Sequence, residues 1–136
     1  MAITIDQAFE LFERRRAAWL ATDVDAYLDC FADDIVLDVP GKTVRGRDEY
    51  EAMARSSFEW AEPVAFDFHH LAVGPDDVVM ANWTITVKRR ADHVPVTWRG
   101  MSVCGIRDDR IAWWREYYED PVALAKAAKG ATSAAD

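Results

Sequence analysis

The stretch Trp114-Arg115-Glu116-Tyr117-Tyr118, near the C-terminal end, gathers the residues best suited to chemistry. On a strand, side chains alternate, so Trp114, Glu116 and Tyr118 share one face while Trp113, Arg115 and Tyr117 take the other. A carboxyl group walled by an indole and a phenol suits acid or base work on a bound molecule, with the Tyr118 hydroxyl offered to an oxyanion or leaving group. Glu116 has a structural alternative: a pair with Arg99 on the neighbouring strand, or with Arg115. A second acid, Asp38, interrupts the apolar run Ile35–Val39 just ahead of Pro40. Facing a cavity, it would divide acid and base roles with Glu116. A register shift of one residue gives that place to Val39 and leaves Asp38 to cap the turn at Gly41.

His69 and His70 fall in mid-strand, so alternation turns one inward and the other outward. An inward His69 would relay a proton; a histidine satisfied within the core is the structural alternative. Trp83, Trp98 and Trp114 alternate with polar residues on successive strands. They would stack on a flat cyclic ligand, with Arg99 also in contact, or simply pack the core. The three histidines lack metal-site spacing and have no cysteine partner, so no metal is expected. Neither a serine nucleophile elbow, a glycine-rich phosphate loop nor a dinucleotide fingerprint occurs, and no cofactor is expected.

The elements that would position these groups follow from periodicity. Thr4-Ile5-Asp6-Gln7 fits a capping box, with Ile5, Phe9, Phe12, Trp19 and Leu20 behind it at helical spacing. Asp23 caps a short second helix carrying Val24, Tyr27, Leu28 and Phe31 on one side, which Phe31-Ala32-Asp33-Asp34 ends. Ile35–Val39 reads as a strand stopped by Pro40-Gly41, and Gly46-Arg47-Asp48 opens a third helix with Tyr50, Met53, Ala54 and Phe58 on one face. Strands are then expected over 64–73, 78–87, 94–106 and 111–118, joined by short turns as antiparallel hairpins. The pattern is α+β, with three N-terminal helices packed on a curved, mainly antiparallel sheet around a pocket. One domain over 1–129 and a flexible tail over 130–136 are expected.

A net charge of −8 argues against a nucleic-acid partner, which needs clustered positive surface. Arg14-Arg15-Arg16 reads as a solvated helix face. No apolar run reaches the ~20 residues of a membrane span. The start, Met1-Ala2-Ile3-Thr4, lacks the basic and apolar stretches of an export signal, so a cytoplasmic location is expected. Cys30 and Cys104 read as buried free thiols. Large aromatics on both faces of the last strand imply that both faces are covered, one by helices and one by a second copy in a homodimer through the sheet.

The order of these elements, with the Phe31-Ala32-Asp33-Asp34 helix end, the Pro40-Gly41 break, Gly46-Arg47-Asp48 and the closing Trp114–Tyr118 strand, resembles the nuclear-transport-factor-2-like superfamily. The likeness runs from about Thr4 to Lys126 and is nearest to the SnoaL-like and limonene-epoxide-hydrolase-like branches. It implies a cone with a deep apolar cavity, usually in a homodimer, and an acid on the last strand at the cavity floor, where Glu116 stands. The Arg and Asp of the epoxide hydrolases fall at Trp83 and Ile85. The tyrosine and the carboxylic acid of the ketosteroid isomerases fall near Arg15 and Ser102. The expected function is a small-molecule enzyme of isomerase, cyclase or hydrolase type, acting by acid/base chemistry on an apolar, cyclic substrate. The alternative is a non-catalytic ligand-binding or dimerisation module of the same fold.

Overall fold

The computed structural model describes residues 2–129; the tail expected over 130–136 lies outside the described residues. Helix α1 (Ile5–Leu20) starts at the predicted capping box. The Thr4 hydroxyl accepts from the Gln7 amide N–H at 3.1 Å, and the Gln7 side chain accepts from the Thr4 N–H at 2.9 Å. Its buried face is the expected one only in part: Phe12 is buried and Trp19 packs half-buried against the core. Ala8, Leu11, Phe12, Arg15 and Ala18 point inward, while Ile5 and Phe9 are exposed. Asp23 caps α2 (Val24–Leu28), accepting from the Ala26 N–H at 3.1 Å.

Strand β1 (Phe31–Val39) begins four residues before the expected Ile35. Its early start comes from pairing with the last strand, Phe31 opposite Ile111, which overrides the helical tendency of the local sequence. Gly41, at φ 83°, turns the chain into β2 (Lys42–Arg45), a short strand the sequence did not announce. Gly46, at φ 86°, then opens α3 (Arg47–Trp60), whose first turn carries Asp48 and Glu49 against the positive end of the helix dipole. Four long strands follow: β3 (Ala61–Val73), β4 (Val78–Arg89), β5 (Pro95–Arg107) and β6 (Arg110–Tyr118). A final helix, α4 (Pro121–Ala128), is capped by Asp120.

The six strands form one sheet in the order β2-β1-β6-β5-β4-β3. All neighbours are antiparallel except β1 and β6, which run parallel. The architecture is therefore α+β with a mixed, mainly antiparallel sheet, as the sequence implies. One face packs on α1, α2 and α3. The core on that side gathers Phe12, Phe31, Leu37, Val79 and Trp114, each almost wholly shielded from solvent. Cys30 and Cys104 are buried free thiols. Burial raises both, Cys104 to about 12, so neither is a ready nucleophile. No helix among the described residues is long and apolar enough to cross a membrane.

Candidate active site in the sheet–helix cavity

Alternation along β4, β5 and β6 directs Trp83, Ile85, Trp98, Ser102, Trp114, Glu116 and Tyr118 to the face covered by helices. Opposite them, α1 supplies Arg15 and Trp19, α2 supplies Tyr27, and α3 supplies Tyr50, Met53, Phe58 and Trp60. Between the two layers lies a cavity of about 130 Å³ lined by these helical residues together with Leu37, Val39, Phe66, Trp98, Glu116 and Tyr118. It is smaller than the several hundred Å³ common in ligand sites. Three indoles, Trp19, Trp60 and Trp98, form much of its wall.

Glu116 is half-buried on this wall and is held by its strand neighbours. Trp114 Nε1 donates to Oε1 at 2.8 Å and the Tyr118 hydroxyl donates to Oε2 at 2.9 Å. Side chains two apart on a strand lie on one face, which is why this W-x-E-x-Y spacing closes a local clamp. Both carboxylate oxygens accept, leaving lone pairs for a bound molecule. The structural alternative for Glu116 does not occur. Arg99 pairs with Glu119 at 2.9 Å and Arg115 with Asp38 at 3.5 Å, both on the far side of the sheet. Burial, with the adjacent Glu116 charge, pushes the Tyr118 hydroxyl well above its ordinary range.

Several sequence expectations place differently. Asp38 turns away from the cavity and accepts from the Thr43 hydroxyl at 2.6 Å. Its neighbours Leu37 and Val39 line the cavity instead, the one-residue register that the sequence left open. His69 is exposed and bonds the Thr84 hydroxyl at 2.7 Å, and His70 is exposed as well. Strict alternation fails there because β3 carries a bulge: Phe68 faces Trp83 and His70 faces Asn82, leaving His69 as the extra residue. Arg99 is an outer-face residue that does not touch the cavity. Trp83 and Trp114 share the inward face with Trp98 but stand behind the wall. Trp83 packs edge-on to Phe66 and Tyr118 and donates to the Ser102 hydroxyl at 2.8 Å.

Arg15, read from sequence as part of a solvated basic face, is 3% exposed. Its guanidinium lies 4.4 Å from the Trp114 ring centroid and 5.1 Å from that of Phe66. Nη2 reaches the Tyr27 hydroxyl at 3.4 Å, while Nε and Nη1 have no partner. Burial works to lower its pKa, but the fields of Tyr27, Tyr50 and Glu116 outweigh that and raise it, so the group stays charged. Tyr27 and Tyr50 meet hydroxyl to hydroxyl at 2.5 Å beside it. Burial, then Tyr27, lifts the Tyr50 hydroxyl well above its ordinary range. A sequence signal for Arg15 did exist: it follows Leu11 by four residues and Phe12 by three, and precedes Ala18 by three, on the inward stripe of α1.

Comparison with known proteins agrees with this architecture. A Bacillus subtilis structure provisionally described as an isomerase superposes with a TM-score of 0.82 at 20% identity, covering 92% of this chain and 94% of that one. A limonene-epoxide-hydrolase-like epoxide hydrolase of M. tuberculosis gives 0.76 at 20% identity, covering 96% and 95%. A Catenulispora acidiphila protein of ketosteroid isomerase-like fold, in complex with trimethylamine, gives 0.75 at 20% identity, covering 89% and 92%. At such identities these structures speak for the fold alone. No curated protein matches the sequence. Residues 12–114 match the family model of the SnoaL-like domain. With most of its length matched, this chain belongs to the SnoaL-like domain family, and it has the nuclear-transport-factor-2-like fold.

Proposed function

We propose that the chain is a cofactor-independent acid/base enzyme whose general base is Glu116, acting on a cyclic carbonyl compound bound among the cavity indoles. The observation that carries this reading is the Glu116 carboxylate on the cavity wall, fixed at both oxygens by Trp114 and Tyr118 rather than by a counter-ion. A base so held is oriented without being neutralised, which favours removal of a proton from carbon beside a carbonyl. Tyr118 is then a positioning residue, since its hydroxyl proton is directed at Glu116. Isomerisation and aldol-type cyclisation both begin with that proton transfer; ring hydration would use the same base on water. The outer sheet face, where Met80, Met101 and Tyr117 stand 40%, 43% and 56% exposed, supports a homodimer formed through the sheet.

Proton exchange tests the reading before any natural substrate is known. Cyclic ketones and 1,3-diketones in heavy water, followed by NMR, should lose their α-protons faster with the protein than in buffer. Glu116→Gln should slow this by roughly 100-fold or more. Because the Gln carbonyl still accepts one of the two bonds, its melting temperature should stay close to wild type, a change of about 1 kcal/mol at most. Exchange no faster than in buffer, or undiminished in the variant, would leave a non-catalytic ligand-binding module as the better account.

A further inference from the structure

Among the described residues, the buried side-chain N and O atoms with no hydrogen-bond partner are Arg15 Nε, Arg15 Nη1 and Trp98 Nε1. Both residues line the same cavity. All three atoms are donors, and neither side chain can accept in exchange. Native interiors rarely leave such groups unpaired, so three on one cavity mark a missing partner rich in acceptors. Arg15 adds a constraint of charge. Its guanidinium is held protonated and nine-tenths buried or more, yet it forms no ion pair with a carboxylate of the described residues. The acid on this wall, Glu116, already takes bonds from Trp114 and Tyr118. Water could satisfy the N–H groups but would leave the buried guanidinium without a directly bonded carboxylate, since Glu116 acts on it only through its field.

We infer that the cavity binds a small organic acid, whose carboxylate seats on the Arg15 guanidinium while a second acceptor oxygen takes the Trp98 N–H. This rests on the proposal that the cavity is a ligand site, and it narrows the ligand class from any apolar ring to a ring bearing a carboxylate. The body of the ligand meets Trp19, Trp60 and Phe66; the planar fork of the arginine suits a carboxylate better than a lone oxygen.

The test uses the intact chain and a panel of cyclohexane- and benzene-carboxylates, with and without a ring carbonyl or hydroxyl, each against its own primary amide. Binding is read by calorimetry and tryptophan fluorescence. At least one acid should bind about tenfold or more tighter than its amide, since only the acid pairs the buried charge. Arg15→Met should erase that preference, and Arg15→Lys should keep part of it. Trp98→Phe, which keeps an aromatic ring and removes the N–H, should erase the smaller gain from the second oxygen. Amides that bind as well as acids would overturn the inference while leaving the cavity as a ligand site. A preference that survives in Arg15→Met would overturn it too. No saturable binding by any member would remove both the inference and the ligand-site reading. Should Arg15→Met fail to fold, the acid–amide comparison on wild type and the Trp98→Phe result still decide.

Discussion

Glu116 shows how much a two-residue spacing can accomplish on a strand. Trp114 and Tyr118 flank it on the same face and donate to opposite oxygens, so the acid is oriented by its own strand. The same contact has a cost at high pH. An unfolded tyrosine gives up its proton near 10, whereas Tyr118 in the folded chain holds it to higher pH because of burial and the Glu116 charge. Above pH 10 the folded state therefore binds more protons than the unfolded state, and stability must fall as pH rises. This contribution is fully present below pH 10 and is lost progressively on the way to the folded value. Melting temperatures between pH 8 and 11 should thus decline less steeply for Tyr118→Phe than for wild type. Parallel curves would show that Tyr118 does not carry the alkaline loss.

Within elements, local departures from regularity decide which groups reach the cavity. The bulge at His69 leaves two successive histidines exposed, on the strand that also supplies Pro63 and Phe66 to the cavity wall. Gly100 in β5 has a different role. A Cβ there would stand 2.4 Å from the Tyr117 carbonyl oxygen and 2.8 Å from the Trp83 ring, so the missing side chain is the space Trp83 occupies. Gly105 likewise lies under the Trp113 ring on the other face. Gly100→Ala should therefore lower stability by about 1–3 kcal/mol through overpacking, seen as a melting point several degrees lower. An unchanged melting temperature would mean that Trp83 repacks freely, and with it the wall behind Tyr118.

For the molecule as a whole, the sheet has one face packed by helices and another on which Met80, Met101 and Tyr117 stand exposed. Met101 and Tyr117 are cross-strand partners on that exposed face, with Met80 nearby. An apolar patch of this kind, flanked by charged Arg99 and Arg115, has the composition of an interface centre and rim. Light scattering should return twice the 15.4 kDa of one chain, and Tyr117→Glu should shift it to the monomer. Because each copy carries −8, added salt should strengthen the dimer by screening repulsion. A monomeric wild type at micromolar concentration, or a dimer weakened by salt, would contradict this arrangement.

The sequence by itself determined the types of most elements, though not β2 or the first residues of β1, together with the capping box at Thr4, the shared face of Trp114, Glu116 and Tyr118, and the α+β class. These depend on short-range periodicity and turn chemistry, which are local properties of the chain. It could not determine the facing of Asp38 or His69. The first hangs on a one-residue register against β2 and β6, and the second on a bulge that only pairing with β4 defines. Nor did it isolate Arg15, although its helical position was visible. An arginine on an apolar stripe becomes a candidate binding group only when α2 and the sheet close over it, with Tyr27, Phe31, Phe66 and Trp114 around the guanidinium and two of its nitrogens unpaired. Tertiary structure decided that, because burial and hydrogen-bond satisfaction are properties of the whole packing and not of any one segment.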